Sequence, residues 1–272
     1  MTAFPALPSN FEPTRATLHA YANAVATLPR VHAVPHPKWW HISLKVRPDG
    51  LTTEAMPFAD GGAVVVRMDL RNHEIIIESS RGDRRSLPMD QGLTATEIGD
   101  ALIEAAAEMG FTGEYDREKF ENDDPRVYDG NHAAELFEVF VSVDSAMAVH
   151  RNRIGGEVGP IQLWPHGFDL AFEWFGTKMV SHEEAGEVSE LPAQINLGFY
   201  PAGDAYFYSN PWPFDGDALL RVELPEGARW NTDGWEGSMV EYADLAGRSD
   251  GVERCIEYAG TVFDAASPLL TR

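Results

Sequence analysis

The segment Pro35-His36-Pro37-Lys38-Trp39-Trp40-His41-Ile42-Ser43 gathers two imidazoles, an ammonium, a hydroxyl and two indoles. An imidazole titrates near neutral pH, which makes His41 a candidate acid–base group. Trp39 beside it offers a flat wall for a ring-shaped ligand. A second group runs from His166 through Asp169 to Glu173. Asp169 is a candidate orienter of a histidine or stabiliser of charge. Asp169 and Glu173 share a strand face, but at about 3.3 Å per residue their Cα atoms stand roughly 13 Å apart. Glycosidase carboxyls are separated by about 5 to 9.5 Å, so these two do not form such a pair alone. Tyr200, Tyr206 and Tyr208, with Trp164 and Trp212, make the later part of the chain rich in amphipathic rings. Such rings fill cores and also line ligand pockets and interfaces. The catalytic candidates are therefore His41 and Asp169. The binding candidates are Trp39, Tyr200, Tyr206, Tyr208, His166 and Glu173.

Two histidines and a carboxylate, drawn from His36, His41, His166 and Asp169, meet the ligand count of a non-haem iron site. No helical H-E-x-x-H pattern accompanies them, and no metal site is assigned. Phosphate-cradling, dinucleotide-binding and nucleophile-elbow patterns are absent too, so the sequence names no cofactor.

These residues need elements to hold them. Alternation of Trp40, Ile42, Leu44 and Val46 predicts a strand over about 39–47, with Trp39, His41, Ser43 and Lys45 on its other face. Pro13 opens a helix that Pro29 ends, with Leu18, Tyr21, Ala22 and Val25 as its buried stripe. A meander of short strands follows, joined by tight turns that imply antiparallel pairing. Thr94 and Glu97 have capping-box spacing before a helix of about 95–109. A long helix covers roughly 131–153. Phe168, Leu170, Phe172 and Trp174 then alternate along a strand, a hairpin joins about 195–200 to 205–209, and a strand near 219–224 precedes a final helix of about 250–266. The fold class expected is α+β: predominantly antiparallel sheet with at least four flanking helices. Residues 1–272 read as one compact domain, with two similar halves at 12–122 and 123–272 left open.

Lys and Arg number 21 against 43 Asp and Glu, a formal charge of −22. That balance opposes contact with nucleic acid and with anionic lipid. Cys255 is the sole cysteine, so no intramolecular disulfide or cysteine zinc cluster forms. Its apolar helical pattern reads as core. Neither a signal-peptide pattern nor a membrane-length apolar run is present, and cytoplasmic location is expected by default.

Several motifs share a fairly specific order: Thr17-Leu18-His19, Trp39-Trp40-His41, Gly50-Leu51-Thr52-Thr53, Tyr128-Asp129, Phe168-Asp169-Leu170-Ala171 and Gly198-Phe199, closed by Tyr206, Tyr208, Pro211 and Pro213. Through them the chain resembles an uncharacterised bacterial family, domain-of-unknown-function family 5996, from about Thr17 to the C-terminal helix. The resemblance implies a shared fold unit and site, and no reaction. Where the family pattern often has histidine, this chain carries Lys38 and Gln162. Where it often has a His-Glu pair, this chain has Pro192-Ala193.

The function expected is small-molecule binding, with catalysis left open. The expected pocket lies between the halves, and its ligand is neutral or cationic and of aromatic size. The alternative is a non-catalytic protein–protein interaction module. A homodimer is compatible with either.

Overall fold

The computed structural model describes residues 3–184 and 186–271. Among them are five α-helices, and every strand pairing is antiparallel, which is the α+β class expected. The chain forms two compact units that interleave along the sequence. One holds Leu7–Val141 with Gln162–Asp169. The other holds Met1–Ala6, Ser142–Ile161 and Leu170–Arg272.

The first unit opens with α1, Glu12–His32. Leu18, Tyr21, Ala22 and Val25 are fully buried along it, as the periodicity requires. The helix does not stop at Pro29. Proline cannot donate backward, but its carbonyl still accepts the Ala33 N–H at 3.0 Å, and the last turn holds. The strands β1 Leu44–Arg47, β2 Gly50–Thr53, β4 Ala63–Asp69, β5 Glu74–Ser79 and β6 Arg84–Pro88 pair in that order, and β3 Met56–Pro57 adds to β4. Helix α2, Ala95–Glu108, has the expected capping box: the Glu97 N–H donates to Thr94 Oγ1 and the Thr94 N–H to Glu97 Oε2. The same unit contains the start of α3, Gly130–Arg151, and β8, Gln162–Trp164, which pairs with β1. The remaining turns of α3 belong to the second unit.

In the second unit β7, Glu157–Val158, pairs with β9, Asp169–Glu184. Strand β9 pairs in turn with β10, Glu187–Tyr200, and β10 with β11, Tyr206–Trp212. Helix α4 is one turn, Gly216–Leu219, where the sequence suggested a strand. Asp215 decides it: its carboxylate caps the Ala218 N–H, and a capped turn competes with extension. Two strands not foreseen, β12 Ala228–Asn231 and β13 Gly237–Glu241, complete the order β12-β13-β11-β10-β9. Helix α5, Gly251–Ala266, packs on β10 and β11 with Cys255, Tyr258, Ala259 and Val262 buried. Cys255 is thus core, and burial pushes its thiol pKa far up.

The β9–β10 hairpin is much longer than the alternation of 168–175 suggested. Beyond Pro192 its two strands pair only with each other among the described residues. Val188 on this ribbon is 68% exposed, and Glu183 and Glu190 stand on the same strands.

Candidate functional site

The double-tryptophan segment is not a strand. Trp39 adopts a left-handed backbone, φ 59°, and Trp40–Ile42 form a single 3₁₀ turn before β1 begins. Local hydrogen bonds outcompete the ladder here. The Trp39 N–H donates to the His36 carbonyl, the Ile42 N–H to the Trp39 carbonyl, and the Lys38 N–H to the His36 Nδ1. Pro35 and Pro37 remove two further donors that a strand would need. The His36 ring stacks on Trp40 at 4.2 Å, and the Trp39 ring stacks on His41 at 5.5 Å. Trp39 and His41 do meet, then, through a turn and not through a shared strand face.

His41 is buried, and its Nδ1 accepts the His36 backbone N–H at 3.1 Å. A nitrogen that accepts carries no proton, so the neutral ring has its hydrogen on Nε2. Burial, then the Arg30 charge, then His36 hold the ring below the ordinary histidine range. In this state His41 is a hydrogen-bond donor through Nε2. Service as a base requires the ring first to give up its bond to His36.

Below this turn lies a buried polar cluster. Ser43 and Gln162 are fully buried, and Lys45 nearly so. Lys45 Nζ donates to Gln162 Oε1 at 2.7 Å and to Ser43 Oγ at 3.0 Å, and stands 3.6 Å from Glu54. The ammonium has only donors, so it fixes which end of the Gln162 amide is oxygen. Gln162 Nε2 is then left shielded and without a hydrogen-bond partner.

Asp169 begins β9, half-buried, with its carboxylate curled over the preceding turn. A Cβ at Gly167 would stand 2.4 Å from Asp169 Oδ1, so a side chain there would have to displace that carboxylate. His166 is exposed, and its ring lies 5.9 Å from Trp164. Its carbonyl is 3.1 Å from His19 Nε2, and the His19 ring stacks on the fully buried Phe168. Sequence reasoning did not place His19 among the site residues, although Thr17-Leu18-His19 had been singled out as a motif. Thr17 Oγ1 likewise donates to the Val127 carbonyl at 2.7 Å, beside Tyr128. Two motifs distant in sequence thus meet here.

Tyr200, Tyr206, Tyr208 and Glu173 belong to the second unit. Tyr206 is their hub: Tyr200 lies 5.6 Å away, Tyr208 6.2 Å, and Trp235 stacks at 6.3 Å. Glu173 pairs in register with Asn196, whose Oδ1 is shielded and has no hydrogen-bond partner. The Tyr208 ring lies across Gly198, where a Cβ would stand 2.1 Å from its Cζ. Gly198→Ala is expected to displace that ring and cost about 1–3 kcal/mol. A urea midpoint equal to that of the parent chain would refute this account of the ring's seat.

The family of unknown function DUF5996 matches residues 4–271, almost the whole chain. The chain belongs to this family. No curated protein and no solved structure matches it. The matched span includes every candidate site residue named above. No described helix is long and apolar enough to cross a membrane. Among the described residues no group of three or more His, Cys, Asp or Glu is placed to hold a metal ion.

Proposed function

We propose that this chain binds a small molecule of aromatic size against Trp39 and His41. The observation that carries the reading is the conformation of Trp39. A bulky residue at φ 59° sits in a region that costs about 1–2 kcal/mol, and its indole is 56% exposed. Burial does not repay that strain, and strain of this kind clusters at ligand-contacting positions. The indole is held parallel to an imidazole that presents Nε2–H, giving one flat face and one directional donor. Binding is what this pair supports best. Proton transfer by His41, with Asp169 as its orienter, stands as a further proposal that requires the ring to leave its present hydrogen bond. His166, in the same unit, keeps its proposed role as a ligand contact, and Tyr200, Tyr206, Tyr208 and Glu173 stand as proposed ligand contacts of the second unit by itself.

A thermal-shift screen against a metabolite library tests the reading. A ligand at 100 times its Kd adds about 2.7 kcal/mol of stability. We expect a hit whose stabilisation disappears in Trp39→Ala and weakens in His41→Ala. If every hit stabilises Trp39→Ala as much as the parent chain, the proposal is wrong.

A further inference from the structure

The formal charge of −22 favours a neutral or cationic ligand, but the surroundings of His41 have the opposite character. Arg30 lies in the last turn of α1. Among the described residues its guanidinium has no ion-pair partner, although the chain has 43 carboxylates. Its Nε is shielded from solvent and has no hydrogen-bond partner. The carbonyl end of α1 supplies only a partial negative charge there. Helix α1 packs against the Trp40–Ile42 turn that carries His41, and the Arg30 charge acts on that ring. His41 adds a second donor, because its Nδ1 is occupied and its Nε2 carries the proton. Salt screens those exposed carboxylates that lie beyond about 8 Å. Local donors therefore decide the sign of the ligand.

Resting on the Trp39–His41 reading above, we infer that the ligand is a planar carboxylate. Its carboxylate is received by the Arg30 guanidinium and the His41 Nε2–H, and its apolar ring stacks on Trp39. A guanidinium matches a carboxylate with two parallel N–H donors, and such charge-assisted bonds are about twice as strong as neutral ones.

Three probes of one shape and different charge test the inference: benzoate, benzamide and benzylammonium. Each is titrated into the full chain while the Trp39 indole and His41 imidazole signals are followed by NMR. We expect benzoate to bind about tenfold more tightly than either other probe. Arg30→Gln should remove that preference, and Arg30→Lys should restore part of it. A thermal melt of each variant establishes that it is folded. If benzamide or benzylammonium binds as tightly as benzoate, or Arg30→Gln keeps the preference, the carboxylate inference fails and the ring-binding reading stands. If no probe moves either signal, the Trp39–His41 surface is not a ligand site and both fail.

Discussion

Trp174→Ala is expected to destabilise the chain by about 4 kcal/mol. Trp174 is 5% exposed, meets Phe263 edge-on at 5.2 Å, and packs with Ala193, Ile195, Leu219, Ala266 and Leu270. Its Nε1–H donates to the Gly155 carbonyl at 2.7 Å. Removing the indole leaves a cavity among these packed side chains and an unpaired Gly155 carbonyl. Trp174→Phe keeps a ring and loses the hydrogen bond, so its cost is nearer 1–2 kcal/mol. Urea midpoints at unchanged slope measure both. A loss below about 1 kcal/mol for the alanine variant would show that this cluster does not hold the second unit together.

Acid should weaken the protein well above the carboxylate range. His150, on α3, is 6% exposed and lies against Phe172 and Phe263. Burial, reinforced by the Arg153 charge and opposed by Asp264, lowers its pKa from 6.5 to about 4. The unfolded chain therefore binds a proton at a pH where the folded chain refuses it. The stability contributed by the neutral ring is complete above pH 6.5 and is lost as the pH falls to about 4. At about 1.4 kcal/mol per pH unit the loss approaches 3 kcal/mol. His19, His32 and His41, also lowered by burial, act in the same direction. Urea unfolding at several pH values should give a shallower slope for His150→Gln than for the parent chain over this window. Equal slopes would remove His150 as a cause.

Where local signals agreed with packing, the fold was legible in the sequence. The Thr94–Glu97 box and the buried stripe of α1 each carried their own instruction, and the structure follows both. Errors arose where a side chain competed with the backbone pattern. His36 and His41 accept backbone N–H groups and turn an apolar alternation into a 3₁₀ turn. Asp215 caps a helical turn inside an apolar run. The far part of the β9–β10 ribbon was invisible because Ser181, His182, Glu183 and Glu190 interrupt its alternation, and its pairing rests on the partner strand alone. The site was half legible. Residue type singled out Trp39 and His41, but no spacing in the sequence brings Arg30 to His41 or His19 to His166.

The N-terminal arm has its partners at the far end of the chain. Phe4 packs on Phe207 and Tyr242, and the Tyr242 hydroxyl donates to the Pro5 carbonyl across 237 residues. A ribosome adding about 5–20 residues per second needs roughly 10–50 s to make that partner after the arm has emerged. The unit of Leu7–Val141 with Gln162–Asp169 has all its residues well before then. During that interval Phe4, 1% exposed in the finished protein, is an uncovered aromatic on a nascent chain. Translation speed thus sets how long a chaperone has to meet it.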